Sequence, residues 1–154
     1  MKVYVSYSFS DSELHLITLL LEKFREQGHI VESTANFIGY DFRDVRYKKN
    51  NTIINSDFFV GIVTNNSVGT NNVISDWDIA NKNGVKCILL VERGVVIPRR
   101  INFLEFDRNN PQSAINKLFE INKLYKNNGD DFLIALGIIL GIAALISLFS
   151  NSKD

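Results

Sequence analysis

Residues 58–64, FFVGIVT, decide the fold of this chain. Apolar side chains in this stretch are not confined to every second position, as they would be in a strand with one face in water. A strand that is apolar on both faces belongs to a parallel sheet that helices cover on either side. The stretch therefore predicts the central strand of an α/β domain.

The segments around this strand alternate between strand and helix patterns. Residues 2–7 alternate β-branched and aromatic side chains, and short apolar runs predict three further strands at residues 29–33, 86–91 and 101–106. Apolar residues at helical spacing predict helices between residues 14 and 28, 41 and 55, 70 and 83, and from residue 110 onward. Ser10 and Glu13 have the spacing of a capping box at the start of the first helix.

This alternation predicts five mostly parallel strands between helix layers, because right-handed crossovers leave few other topologies. We expect a flavodoxin-like sheet with the strand order 2-1-3-4-5. In such sheets ligands bind at the carboxyl ends of the strands, near the point where the strand order reverses. The loops that follow the first three strands are therefore the expected place for a functional site.

A long apolar segment follows the predicted α/β domain. Residues 132–149, FLIALGIILGIAALISLF, contain no charged side chain. As a helix they would reach roughly 27 Å, close to the ~30 Å thickness of the hydrocarbon core of a bilayer. The alternative is a buried central helix, but a small domain rarely encloses a helix that is apolar on every face. We therefore expect a transmembrane helix.

The charges beside this segment predict its orientation. Three lysines precede it and one follows, so the positive-inside rule places the large domain in the cytoplasm, on a single-pass tail anchor in the inner membrane. Gly137 and Gly141 lie on one face of the helix and favour self-association, which predicts a homo-oligomer. The expected organisation is an α/β domain, a linker, a transmembrane helix and a short tail, at residues 1–126, 127–131, 132–149 and 150–154.

Composition and absent motifs exclude several function classes. The chain has 17 basic and 17 acidic side chains, so it carries no positive field of the kind that holds nucleic acid. Its single cysteine and two histidines predict no metal centre, and we expect no bound cofactor. Neither GxGxxG nor GxxxxGK[ST] occurs, which argues against a phosphate-cradling loop. The acidic residues of a phospho-accepting receiver are also missing from the strand ends.

Three stretches carry a resemblance to a known family: VYVSYSFSD at residues 3–11, INSDFFVGIVTNNS at 54–67 and ISDWDIANKNGVKCILLV at 74–91. On these stretches the chain resembles bacterial members of the Toll/interleukin-1 receptor (TIR) domain superfamily and the neighbouring nucleoside 2-deoxyribosyltransferase-like proteins. The resemblance spans roughly residues 2–126. It implies an enzyme or an assembly module built on the predicted sheet.

The resemblance implies that Asp76 is the catalytic residue. Enzymes of this family have a carboxylate on the helix after the third strand, four residues before a small residue, and Asp76 stands four residues before Ala80. A carboxylate there can stabilise or attack the positive centre that forms when an N-glycosidic bond breaks. The family usually has Glu, and an error in reach of ~1 Å can cost on the order of 100-fold in rate. The alternative for Asp76 is a solvent-facing carboxylate on a helix.

The other expected site residues line the loops around this carboxylate. The resemblance implies that they bind NAD or a related nucleotide: Tyr7, Ser8, Phe9, Gly39, Tyr40, Arg43 and Trp77. Each has a simpler alternative. Tyr7, Ser8 and Phe9 could simply form the entry to the first helix, and the loop with Gly39 could be a plain turn. Arg43 could be a solvated surface residue, and the spacing of Trp77 with Val73 and Ala80 suits core packing.

Three functions remain open. The first is a membrane-anchored TIR-like effector, implied by the family to serve bacterial antiviral defence by cleaving NAD, its possible substrate. The second is a non-catalytic TIR-like module that self-assembles at the membrane and disrupts it, which Asp in place of Glu would favour. The third is a nucleoside 2-deoxyribosyltransferase-like enzyme, which would explain the carboxylate but not the anchor.

Overall fold

The computed structural model describes residues 1–8, 13–65, 67–97, 101 and 103–128, which fall into two compact units, Met1–Asn109 and Asn110–Asp154. No helix within these described residues is long and apolar enough to cross a bilayer. The predicted transmembrane helix at residues 132–149 lies outside them, as do the tail at 150–154 and Phe9.

The first unit contains a five-stranded parallel sheet in the order β2-β1-β3-β4-β5, which confirms the expected flavodoxin-like topology. The strands are β1 Lys2–Ser6, β2 Ile30–Ser33, β3 Phe58–Val63, β4 Lys86–Glu92 and β5 Phe103–Phe106. The helices of this unit are α1 Leu14–Glu26, α2 Phe42–Ile54 and α3 Ser67–Lys82, with a 3₁₀ turn at Thr34–Phe37. The second unit contains α4, Gln112–Asn128, which begins just after the predicted start at Asn110 and Pro111.

The central strand β3 is buried at all six positions, as its sequence predicts. Neighbouring residues point to opposite faces of the sheet. The ring of Phe58 lies 6.4 Å from that of Phe24 of α1, whereas Phe59 stacks on Tyr4 at 6.1 Å. Phe59 belongs to the core cluster that includes residues from α2 and α3. The sheet is thus covered by α1 on one face and by α2 and α3 on the other.

Gly61 in the middle of β3 permits α3 to approach the sheet. A Cβ atom at this position would lie 2.8 Å from Cγ1 of Val73 and would also clash with Leu89 of β4. A glycine inside a strand normally weakens it, so its presence here reflects this close approach. This contact fixes α3, the helix that carries Asp76, directly over β3.

Several element boundaries differ from the predicted ones. The loop after β4 shows no helix in its described residues, 93–97, although strict alternation of strands and helices would require one. Helix α3 begins at Ser67, three residues before the predicted start. The Asp41 side chain accepts a hydrogen bond from the Arg43 backbone N–H at 3.0 Å, which confirms the predicted cap of α2.

Candidate functional site

Asp76 lies on the inward face of α3, beneath the carboxyl end of the sheet. Val73, one turn before it, and Ala80, one turn after it, are both buried, and Asp76 itself is only 3% exposed. The alternative of a solvent-facing carboxylate is therefore wrong. The Ser6 hydroxyl at the end of β1 donates to Oδ2 of Asp76 at 2.8 Å, so the carboxylate is tied to the strand that precedes the first loop.

The Asp76 carboxylate also forms an ion pair with Lys49. The Lys49 Nζ atom lies 2.6 Å from Oδ1, and the two side chains are 22% and 4% exposed. Lys49 stands four residues before Ile53, the buried residue of α2, so both point from one helix face toward α3. Burying a carboxylate is costly unless a counter-charge and hydrogen bonds compensate for the lost water, and Lys49 and Ser6 supply both.

Tyr4 adds a protonated phenol on the same face of β1. Its side chain is fully buried. Burial, reinforced by the negative charge of Asp76, raises the pKa of Tyr4 far above its ordinary value of 10.0. The phenol therefore keeps its proton across the physiological range.

A second buried carboxylate, Glu13, joins the ends of β1 and β3. Glu13 lies directly before α1 and is 3% exposed. The Ser8 hydroxyl donates to its Oε2 atom at 2.9 Å, and the Thr64 hydroxyl donates to its Oε1 atom. Ser8 follows β1 and Thr64 follows β3, so these contacts cross the point where the strand order reverses.

Glu13 corrects the sequence-based reasoning, which treated it only as a capping residue. Its predicted partner Ser10 lies outside the described residues, whereas its carboxylate binds the hydroxyls of Ser8 and Thr64. The sequence did contain a signal for this contact. Hydroxyl residues, Ser8 and Thr64, follow two neighbouring strands, and an acid, Glu13, stands directly before α1.

A third carboxylate extends this polar edge of the sheet to β4. Glu92 at the end of β4 accepts two hydrogen bonds from the Arg108 guanidinium, at 2.7 and 2.8 Å, and one from the Asn65 backbone N–H at 3.0 Å. The hydrogen bonds from Arg108 are the main cause that lowers the pKa of Glu92 below 4.5. Glu92 and Arg108 thus fasten the loops that follow β3, β4 and β5 to one another.

The predicted site residues fall into two groups. Tyr7 and Ser8 lie in the loop that leaves β1, where the Tyr7 backbone N–H donates to the Thr34 hydroxyl at 3.2 Å and Ser8 binds Glu13. Phe9 lies outside the described residues. Trp77 is partly buried and packs against the core, as its simpler alternative predicts.

The remaining predicted residues lie around the start of α2. Gly39 has a positive φ of 87°, and the Lys48 ammonium lies 4.6 Å from the centre of the Tyr40 ring. The side chain of Arg43 is exposed. In the described part of the chain, no hydrogen bond or ion pair connects Gly39, Tyr40 or Arg43 to Asp76.

The described residues include no group of three His, Cys, Asp or Glu side chains arranged to hold a metal ion. Near the carboxyl ends of the strands, the described residues instead bring together the carboxylates of Asp76, Glu13 and Glu92, the hydroxyls of Ser6, Ser8 and Thr64, and the cations of Lys49 and Arg108. Such groups can stabilise positive charge and bind hydroxyl or amino groups.

The comparisons with known proteins place the fold. No protein-family profile matches the chain, and no curated protein sequence matches it significantly. Two solved structures with this fold are the 2-deoxyribosyltransferase of Bacillus psychrosaccharolyticus and the CMP N-glycosidase BcmB of Clostridium botulinum. The first is 19% identical over 71% of this chain and 89% of that one, with a TM-score of 0.60. The second is 16% identical over 77% of this chain and 98% of that one, with a TM-score of 0.62.

A protein of Klebsiella pneumoniae named as a candidate quinone reductase also matches, with 12% identity, 79% and 85% coverage and a TM-score of 0.54. At these identities the likeness establishes the fold alone, which different chemistries share. The chain therefore has the flavodoxin-like α/β fold, and its function has to be argued from the residues of the site.

Proposed function

We propose that this chain cleaves the N-glycosidic bond of a nucleoside or nucleotide, with Asp76 as the carboxylate at the reacting sugar carbon. The observation that carries the proposal is the burial of Asp76 beneath the carboxyl end of the sheet, with Ser6 orienting one oxygen and Lys49 the other. The names of two proteins with this fold, a 2-deoxyribosyltransferase and a CMP N-glycosidase, support this reaction type. They favour a nucleoside-processing enzyme over a TIR-like effector.

The chemistry requires a fixed negative charge. When the base leaves, positive charge develops on the anomeric carbon and its ring oxygen, and a nearby carboxylate stabilises that charge or bonds to the carbon. Attack by water on the resulting centre gives hydrolysis, and attack by a second base gives transfer of the sugar. The side chains of Asp76 and Ser6 are compatible with both outcomes, so the acceptor decides the product.

Access to Asp76 requires a rearrangement, since the carboxylate is almost fully buried and both oxygens are bonded. Helix α2 is the element that can move, because Ile53 is the buried residue among its thirteen. A shift of α2 would withdraw Lys49 and free Oδ1, while Ser6 on the rigid strand would keep Oδ2 in place. The substrate would then take the position that the Lys49 ammonium occupies.

The test is a comparison of Asp76→Asn and Asp76→Glu with the full-length wild type, with Asp78→Asn as the control for loss of a carboxylate on the same helix. Deoxynucleosides with and without a second free base, CMP and NAD are supplied in separate reactions, and the released base or nicotinamide is measured by chromatography. We expect Asp76→Asn to reduce turnover by about 100-fold or more and Asp76→Glu to retain it. Equal turnover by the wild type and Asp76→Asn would remove Asp76 from the mechanism.

The separate reactions also distinguish the three functions that the sequence leaves open. Exchange of bases identifies a transferase, and release of nicotinamide identifies the NAD-cleaving effector. Failure of the wild type to cleave any of these compounds would favour the non-catalytic assembly module.

We further propose that residues 132–149 anchor the domain to the membrane and favour homo-oligomers there. The support is the uncharged apolar run and its small residues Gly137 and Gly141. Fractionation of cells that express the full-length chain tests the anchor. Recovery of the intact chain wholly in the supernatant would contradict it.

A further inference from the structure

We propose that Glu13 makes the polar edge at the carboxyl ends of β1 and β3 selective for an uncharged hydrogen-bond donor, such as a sugar hydroxyl or an amino group, and against a phosphate. The inference rests on the proposed function for the position of the ligand, at the carboxyl ends of β1 and β3. It goes beyond that function because it assigns a specificity-determining role to Glu13 and ranks nucleosides above nucleotides as ligands.

The first step is the direction of the hydrogen bonds. A carboxylate only accepts, so the Ser8 and Thr64 hydroxyls must both donate to Glu13. Each hydroxyl has one proton and therefore cannot donate to a ligand at the same time. Ser8 is partly exposed whereas Glu13 and Thr64 are buried, so the lone pairs of Ser8 are what a ligand meets. Ser8 consequently acts as an acceptor.

The second step is that Ser8 has little freedom to turn away. A Cβ atom at Gly69, in the first turn of α3, would overlap the Cβ atom of Ser8 and lie 2.5 Å from its Oγ atom. The backbone of α3 therefore packs directly against Ser8. Ser6, the preceding hydroxyl on this face of β1, is similarly committed as a donor to Asp76.

The third step concerns charge. Along the described part of this edge the carboxylates of Asp76, Glu13 and Glu92 outnumber the cations, and both cations are already engaged. Lys49 forms its ion pair with Asp76, and Arg108 forms one with Glu92. A phosphate oxygen is itself an acceptor and carries negative charge, so at Ser8 it would find the hydroxyl protons of both Ser8 and Thr64 already donated to Glu13, and it would be repelled by the charge of Glu13. A hydroxyl or an amino group would donate to Ser8 instead.

The test measures binding rather than turnover. Dissociation constants of the full-length chain are determined by calorimetry for adenosine against AMP and for cytidine against CMP. The variants are Glu13→Gln, Ser8→Ala and the control Glu22→Gln, which removes the same charge from the exposed face of α1. The glutamine amide can donate, so it releases a hydroxyl proton toward the ligand and also removes the repelling charge.

We expect the wild type and Glu22→Gln to bind at least one nucleoside about 10-fold more tightly than its 5′-monophosphate, which is the scale of one hydrogen bond. Glu13→Gln should abolish this preference. Ser8→Ala should weaken nucleoside binding by about 10-fold and change binding of the monophosphate little. Because Ser8→Ala leaves the buried contact between Glu13 and Thr64 in place, it still tests the inference if Glu13→Gln fails to fold.

Three results would overturn the inference: monophosphates that bind the wild type as tightly as nucleosides, a preference that survives Glu13→Gln, or no binding of any of the four compounds. Its failure is distinct from that of the proposed function. Selective binding without release of a base would refute only the reaction, whereas release that depends on Asp76 but shows no preference for nucleosides would refute only the role of Glu13.

Discussion

Replacement of Lys49 by Met is the sharpest test of the buried ion pair. The change removes the ammonium that lies 2.6 Å from Asp76 Oδ1 and keeps most of the apolar stem. Removing one partner of a fully buried pair costs about 3 to 5 kcal/mol, and an exposed pair contributes about 0 to 1 kcal/mol. Since Lys49 is 22% exposed and Asp76 only 4%, we expect a loss of roughly 2 to 3 kcal/mol in the free energy of unfolding.

The assay is urea denaturation of the full-length chain at neutral pH. The midpoint should fall while the denaturant slope stays unchanged, because the surface exposed on unfolding is the same. Lys48→Met is the matched control: the Lys48 ammonium lies over the Tyr40 ring at 4.6 Å on the exposed side of α2. That contact is worth about 0.5 to 1 kcal/mol, so the control should lose less than Lys49→Met.

A double-variant cycle isolates the pair itself. In the background of Asp76→Asn there is no buried negative charge to leave uncompensated, so Lys49→Met should have a much smaller effect. A coupling energy of about 1.5 kcal/mol or more is expected. Additive effects of the two changes would refute the reasoning, because they would mean that Lys49 does not compensate the charge of Asp76.

Three further predictions concern other contacts. Burial raises the pKa of the Cys87 thiol to about 12, so iodoacetamide should alkylate this thiol far more slowly in the native chain than in urea. Mass spectrometry measures the two alkylation rates, and equal rates would contradict the burial of Cys87. Arg108→Gln should lower stability by roughly 0.5 to 1 kcal/mol at neutral pH. Because Arg108 lowers the pKa of Glu92 below 4.5, this stabilisation is present above that pH and is lost as the pH falls further, so the denaturation midpoints of the two proteins should converge in acid. Gly69→Ala should destabilise the chain by about 1 to 3 kcal/mol because the new methyl group would displace Ser8. An exposed Gly→Ala change in a helix usually stabilises a protein instead. A raised melting temperature would therefore contradict the contact between Gly69 and Ser8.

The sheet could be predicted because its signals are local. Every position of residues 58–63 is buried, and the flanking segments alternate strand and helix patterns, so right-handed crossovers leave few topologies, of which the observed strand order is one. An alternation rule could not show that the described residues after β4, 93–97, contain no helix, because a parallel crossover can be made by a loop of sufficient length.

The partners of the candidate site are non-local and were not predictable in the same way. Asp76 could be singled out only through the family resemblance, which implies a carboxylate four residues before Ala80, and its ion pair depends on which face of α2 points inward. That helix has one buried residue, Ile53, so its apolar pattern gives almost no information about its orientation. The contact between Glu13 and Thr64 joins residues 51 positions apart, so no local sequence pattern predicts it.

The two buried acids are compensated differently, and this difference bears on their roles. Asp76 has a counter-charge in Lys49, whereas Glu13 is held by the hydroxyls of Ser8 and Thr64. Apolar residues of similar size would stabilise a fold as well or better than buried ionic groups, so a purely structural role explains neither acid well. Both acids bind a serine from the end of β1, and both therefore set the hydrogen-bonding direction of a hydroxyl at the edge where ligands of this fold bind. Local conflicts with stability of this kind are expected where a chain maintains a functional site, and here they coincide with the reversal of the strand order.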